Sequence, residues 1–470
     1  MNVLKNIAVS TIFFVLTVFL AYGAVRADFT LLAGSYSVLF TLYLYILFDQ
    51  KKSNSQLLRK LADKGGIVQR PTWQNTMFYY IALGMALRVI LLFNLPNLSE
   101  DAWRFLWDGR LTINGIHPFS HPPVYFIEHQ IFPQGITPEL FAHLNSKQWF
   151  SVYPPVCQAV FTATAWLSSE NDQAGIIWLK LFLLFCEIGT IGLLWYSKRY
   201  FATLIWALNP LVLLEIMGNC HFEGALVFFL LLSLHALERY RIAWAAVALA
   251  LATAVKLWPL MFIPLVFRWL GLNRGLWFCV VFTVVSIAMF LPMLDWAVLQ
   301  NMGKSLDLYF QKFAFNGSVY YVFWEIGLQF NYYKLDKLIG VLLLPFPIMA
   351  IGWFFRRLSH KSPIFSLYHC VLWTFCIYLF FTSTVHPWYV TVLLALGIWM
   401  EDNERVVAAG RRKWSIPLFP IAWSGTVIFS YSHYENGAFI EQKGWIALEY
   451  LIVLTCLIWD INKNNVEKNA

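Results

Sequence analysis

The sequence predicts an all-α polytopic integral membrane protein, a bundle of about 13–14 transmembrane helices. Three observations predict it. The 470 residues are 59% hydrophobic and 13% charged, where a soluble domain carries about 25% charged residues. The mean hydropathy is +0.60. Apolar runs recur along the whole chain, separated by short polar loops. Aromatic residues make up 18%, as expected of a protein with many rings at two membrane interfaces.

The runs fall near 7–24, 29–48, 75–94, 153–168, 175–196, 201–217, 223–238, 241–254, 257–270, 275–293, 337–355, 364–383, 387–400, 414–431 and 444–461. A full crossing takes about 20 residues, so several of them are short. Lys5 followed by apolar 7–22 has the look of a signal peptide, but the next apolar run begins almost at once, and the segment reads as the first spanning helix. Residues 1–74 are expected to form a two-helix hairpin with a cytoplasmic loop. Residues 75–400 form the membrane core with a long loop at 95–152, and 401–470 a C-terminal hairpin.

Basic residues set the orientation. Lys51, Lys52, Arg59, Lys60, Lys64 and Arg70 place the loop 51–74 in the cytoplasm. Lys198-Arg199, Arg239 with Arg241, Arg268 with Arg274, Arg356-Arg357 with Lys361, and Arg411-Arg-Lys413 then agree only if the run 153–168 does not cross. That run starts Tyr153-Pro-Pro and is expected to dip into the membrane or pack as a half-helix beside a cavity. About fourteen crossings with both termini inside result. Residues 95–152, 218–223, 295–336 and 383–389 then lie outside, in the plasma (inner) membrane's extracytoplasmic face.

The net charge of +8 does not imply nucleic acid, because the basic residues sit in these short loops. The seven cysteines lie mostly in apolar runs without paired spacing and read as small core residues. No P-loop or Rossmann glycine pattern occurs. Any chemistry is therefore expected on the outer face, on a substrate that arrives in the membrane.

Leu98-Ser-Glu-Asp-Ala-Trp-Arg-Phe-Leu-Trp-Asp-Gly-Arg110 concentrates Glu100, Asp101, Arg104, Asp108 and Arg110 directly after an apolar run. As a helix it places Asp101, Arg104, Phe105 and Asp108 on one face, with Trp103 and Trp107 turned toward the headgroups. Asp101 or Glu100 is a candidate general base; an interfacial helix whose Asp and Arg only pair is the plain alternative. Asn114-Gly-Ile-His-Pro-Phe-Ser-His121 is a turn-rich loop, and His117 with His121 lacks a nearby third metal ligand.

A second cluster holds Glu215, Asn219, His221 and Glu223. Glu215, Asn219 and Glu223 face one way if the helix continues. Acids near a membrane core are costly and mark function, or else a polar helix contact. Lys256, alone in an apolar stretch before Pro259, needs an anion: a lipid phosphate, or a neighbouring Glu. His386 in Thr384-Val-His-Pro-Trp-Tyr389 is placed to give a phosphate a proton or hydrogen bond, or to cap a turn. Arg88, Lys180, Glu187 and Glu325 are expected to pair internally in part.

Taken in order, these segments resemble the bacterial GT-C glycosyltransferases. The 98–110 segment with Asn114-Gly-Ile-His-Pro-Phe119 is similar to the family's first outer loop. Val152-Tyr-Pro-Pro-Val-Cys-Gln158, Asn209-Pro-Leu-Val-Leu-Leu-Glu215, Gly218-Asn-Cys-His-Phe-Glu223, Ala254-Val-Lys-Leu-Trp-Pro-Leu260 and Ser383-Thr-Val-His-Pro-Trp-Tyr389 follow in the same order. The resemblance covers roughly residues 90–390. It is strongest to polyprenol-phosphate-mannose-dependent mannosyltransferases, relatives of phosphatidylinositol-mannoside and GPI mannosyltransferases.

It implies a GT-C-like bundle and an inverting transfer of a sugar from a polyprenyl phosphate to an acceptor hydroxyl, with a lipid or glycan acceptor. The family's essential acid is an Asp in the first outer loop; here Glu100-Asp101 stands where relatives have Asp-Asp, and Asp101 is favoured. Arg104, Asp108, Arg110, His117, Tyr153, Glu215, Asn219, His221, Glu223, Lys256, His386 and Tyr389 are the candidate substrate-binding residues. No cofactor is required by the sequence, and a divalent cation is left open. A transporter or flippase of a lipid-linked substrate is the rival class. An internal repeat would mark it, and the two halves show none.

Overall fold

The computed structural model describes residues 2–64, 72–294, 299–301, 303, 314–329, 335–401, 416–437 and 439–469. The side chains at Arg59, Lys60, Lys64 and Arg70, the 411–413 run and residues 304–313 of the outer loop lie outside these. Among the described residues the regular structure is helical, with one isolated parallel bridge between Phe315 and Thr384.

The helices are α1 (Asn2–Tyr22), α2 (Phe29–Lys64), α3 (Thr72–Ile90), α4 (Asp101–Ile113), α5 (Pro123–Glu128), α6 (Pro138–Ala142), α7 (Pro155–Ser168), α8 (Asp172–Tyr196) and α9 (Tyr200–Leu208). A short α10 (Pro210–Val212) runs into a π-helical turn at Leu213–Gly218. Then come α11 (Glu223–Glu238), α12 (Ile242–Val255), α13 (Ile263–Leu270) and α14 (Leu272–Phe290). The second half holds α15 (Ser318–Gln329), α16 (Leu335–Leu343), α17 (Pro345–Arg357), α18 (Ile364–Phe381), α19 (Pro387–Ile398), α20 (Leu418–Thr426) and α21 (Lys443–Asn469). Among the described residues, 7 helices are long and apolar enough to cross a membrane, or 8 with the bent pair around Asn209. Four shorter apolar helices, such as Ile242–Val255, accompany them. The chain is a multi-pass membrane protein.

Local sequence explains most helix ends. Proline at the first helical position starts α5, α6, α7 and α19, where its missing N–H costs nothing. Thr137 and Asn171 cap α6 and α8 by accepting from Leu140 N and Ala174 N. Asn209 caps Pro210–Val212 and bends the chain by 52°.

The run 153–168 forms helix α7, too short at 14 residues to count among the candidate spans. Helix α7 lies along α4, its Phe161 carbonyl packed on Gly109, where an added Cβ would sit 2.1 Å from that oxygen. Beyond its end, Asp172 pairs with Arg110 of α4 at 2.6 Å.

Buried charges hold the bundle. Arg88 of α3 meets Glu187 of α8 at 2.8 Å, both side chains fully buried. Its guanidinium also donates to the Gly84 and Ala207 carbonyls, and Trp206 donates to Glu187. Lys180 has no acid partner; its ammonium contacts Leu91 O, Asn94 O, Asn94 Oδ1 and Gly218 O at 2.7–3.0 Å. This ties the end of α3 to the end of the π turn, and so sets 98–101 beside 219–223. Glu325 pairs with Lys443.

Trp103 and Trp107 do not point to headgroups. Trp107 is fully buried in a small core with Leu111, Phe126, Ile136, Leu140 and Leu144, and Trp103 stacks on His143 at 4.4 Å. The 114–152 loop folds back over α4 and covers the face expected to meet lipid. All seven cysteines are free.

Candidate active site

Asp101 opens α4, where a carboxylate suits the positive end of the helix. Its side chain is 22% exposed. Asn145 donates to its Oδ1 at 3.1 Å, and His221 Nδ1 lies 4.0 Å from its Oδ2. Glu100 turns the other way. Arg26, in the link between α1 and α2, grips both its oxygens and stacks its guanidinium 3.9 Å from the Tyr434 ring centre. Asn97 fastens the same loop to the Leu20 and Ala24 carbonyls.

The second cluster does not continue as one helix. The π turn ends at Gly218, Asn219 leaves helical geometry, and Cys220 takes φ +66°. That left-handed conformation is costly for a residue with a side chain and is typical of functional turns. Glu223 begins the next helix. The break gathers the polar groups better than a straight helix would. Glu215 accepts from Asn219 at 3.3 Å and from the Tyr431 hydroxyl at 2.8 Å, and faces His221 Nε2 at 3.4 Å. Asn219 Oδ1 accepts from Leu98 N, joining the two loops.

Lys256 sits where α12 ends, with extended backbone at φ −156° and ψ 141°, before the turn that Pro259 starts. Its ammonium contacts Glu223 Oε1 at 2.5 Å and lies over the Trp258 and Tyr389 rings at 4.3 and 4.1 Å. The neighbouring Glu that the sequence allowed is its partner here. Lys256 keeps 30% of its side chain exposed, against 5% for Glu223.

An aromatic stack joins the two halves. Trp388 stacks on His221 at 3.6 Å and on His386 at 4.4 Å. His386 touches Tyr389 edge-on, which carries Lys256. A strap at 315–318 holds the turn: Phe315 N donates to Ser383 O, and Val385 N to Phe315 O. Asn316 donates to both Glu449 oxygens. Enclosure, then the Lys256 cation and His221, hold the His386 imidazole well below its ordinary range. It therefore faces the site as a neutral ring.

Asp101, Glu215, Asn219, His221, Glu223, Lys256, His386 and Tyr389 thus form one continuous set. Arg104, Asp108, Arg110, His117 and Tyr153 are not brought to it. Arg104 is buried and bonded to Asp108 at 2.8 Å and to the Ser146 and Trp149 carbonyls; Ser151 and Gln158 complete Asp108. Arg110 binds Gly135 O and Asp172. These groups anchor the covering loop. His117 accepts from Phe119 N at 3.2 Å and lines a separate cleft of about 400 Å³ with Met289 and Met293. Tyr153 packs edge-on against Phe105 at 4.9 Å.

Sequence reasoning missed Arg26, Asn145, Trp388 as a stacking plate, and Tyr431. A signal existed for Tyr431, in the polar Ser430-Tyr-Ser-His-Tyr434 run ending an apolar segment. Asn145 gave none. Among the described residues, no three His, Cys, Asp or Glu side chains converge as a metal site would require.

Residues 67–272 match the family model described as alpha-(1->6)-mannopyranosyltransferase, N-terminal domain. That span contains every candidate residue except His386 and Tyr389. The chain is 22% identical over 404 residues to alpha-(1->6)-mannopyranosyltransferase A of Mycobacterium tuberculosis, a match covering 76% of this chain and 72% of that protein. Both findings support the resemblance to GT-C-type mannosyltransferases that the ordered motifs carry.

Proposed function

We propose that this chain, a relative of GT-C-type mannosyltransferases, moves a mannosyl group from a polyprenyl phosphate to an acceptor hydroxyl on the extracytoplasmic face of the plasma membrane, with inversion. Supporting it is the division of the site into an acidic and a cationic half. Asp101 offers a partly exposed carboxylate on one side, and Lys256 a partly exposed ammonium on the other. An inverting transfer from a phosphate needs both, a base for the attacking hydroxyl and a cation for the leaving anion.

Asp101 takes the proton of the acceptor hydroxyl as its oxygen attacks the sugar's first carbon. The bond from that carbon to the phosphate oxygen breaks, and the electron pair leaves with the phosphate. Lys256 swings from Glu223 to that phosphate, a charge-assisted contact in a low-dielectric setting. Neutral His386 donates one N–H to the same group. Glu100 is committed to Arg26 and so leaves the base role to its neighbour.

The test is transfer by purified protein in lipid nanodiscs from polyprenyl-phosphate mannose to a mannoside acceptor, with the product's anomeric configuration read by NMR. Transfer with inversion is expected. Retention, or transport of the intact lipid donor without transfer, overturns the reading.

A further inference from the structure

Three acids around the site each have their own strong cation, while two others share one ring. Glu100 has Arg26, Asp108 has Arg104, and Glu223 has Lys256. Asp101 and Glu215 instead flank His221, 4.0 Å from Nδ1 and 3.4 Å from Nε2. The ring is 2% exposed, and among the described residues its Nε2 makes no hydrogen bond. Such a group is normally satisfied, so its lodging between two carboxylates is a built arrangement.

Three independent features fix the ring there. The φ +66° conformation at Cys220 turns the chain just before it. Trp388 stacks on it with an interplanar angle of 18°. The π turn sets Glu215 in register, and the Tyr431 hydroxyl holds the far carboxylate oxygen at 2.8 Å. A π-helical turn inside an apolar helix is itself a frequent mark of a functional position.

We propose that His221 is a positioning residue for Asp101. The line Tyr431–Glu215–His221–Asp101 fixes which carboxylate oxygen points at the acceptor, while Asn145 holds the other. This rests on Asp101 being the base of the proposed transfer. His221 is then no contact of the donor: Trp388 covers one of its faces, and the other titratable groups of the site are the Lys256–Glu223 pair and the neutral His386, which stacks on the same indole. The Arg26–Glu100 pair closes the loop side.

The test compares His221→Ala, His221→Asn and His221→Gln in the mannosyl-transfer assay, because the Asn amide mimics the Nδ1 side and the Gln amide the Nε2 side. His221→Ala is expected to lower kcat about 100-fold, the lower end of what a well-placed base contributes, with donor KM within about threefold of wild type. His221→Asn, which keeps a donor toward Asp101, is expected to recover at least about tenfold of that loss, and His221→Gln less. An experimental structure of His221→Ala supplies a readout independent of turnover. There the Asp101 carboxylate is expected to leave its wild-type orientation. Unchanged kcat, a loss that falls on donor KM alone, or an unmoved Asp101 overturns the proposal. A wild-type protein that transfers no mannose overturns the function instead, and the Asp101 orientation still decides the role of His221.

Discussion

Glu100 and Asp101 are consecutive, yet one belongs to a clasp and the other to a site. Arg26 holds the Glu100 carboxylate with two of its guanidinium nitrogens, whereas Asp101 lies 4.0 Å from His221. Glu100→Gln should therefore loosen the tie between the first hairpin and the acid loop, an effect below about 1 kcal/mol for a pair this exposed. Turnover should stay within about tenfold of wild type, measured as kcat in the transfer assay. A loss approaching that of an Asp101 variant would move the base to position 100.

The Lys256–Glu223 contact is a resting arrangement in the proposed cycle. Lys256→Gln removes a charged hydrogen bond to the donor phosphate, worth roughly 1.5–3 kcal/mol, so kcat/KM for the donor should fall about 10- to 100-fold. Acceptor KM should barely move. An unchanged donor dependence would reduce Lys256 to a partner of Glu223.

Arg88 and Glu187 form a buried ion pair that ties α3 to α8. Both are fully buried. Removing one member of a buried pair costs about 3–5 kcal/mol, so Glu187→Ala should sharply lower yield and thermal stability in detergent. Thermal unfolding followed by a thiol-reactive dye checks this through the buried Cys186 and Cys220. A wild-type melting profile would contradict it.

His386 resists protonation through its enclosure and the neighbouring Lys256. A histidine whose folded pKa lies below its unfolded value of about 6.5 contributes stability that is present above that value and lost as pH falls below it. Between pH 7.5 and 5.5, the melting temperature of wild type should thus drop more than that of His386→Asn. Equal drops would show that His386 is not held neutral.

Much of this was legible in the chain. Apolar runs gave the helices, and charge asymmetry set the expected orientation, including an uncrossed 153–168 run. The ordered motifs led to the family. Two readings failed for one physical reason, that a one-dimensional pattern assumes a straight helix exposed to lipid. The π turn and Cys220 break the 215–223 helix, and the 114–152 loop buries Trp107. Arg104 and Asp108 pair, which is the plain alternative that their spacing left open. Arg26, Asn145 and Tyr431 come from segments far apart in sequence, and only the fold brings them together.

The most direct measurement is single-turnover mannosyl transfer by Asp101→Asn beside wild type, with donor binding measured on the same preparations. The account predicts donor affinity within about threefold of wild type and a chemical step slowed about 100- to 10,000-fold. Transfer at the wild-type rate by the folded variant would contradict it.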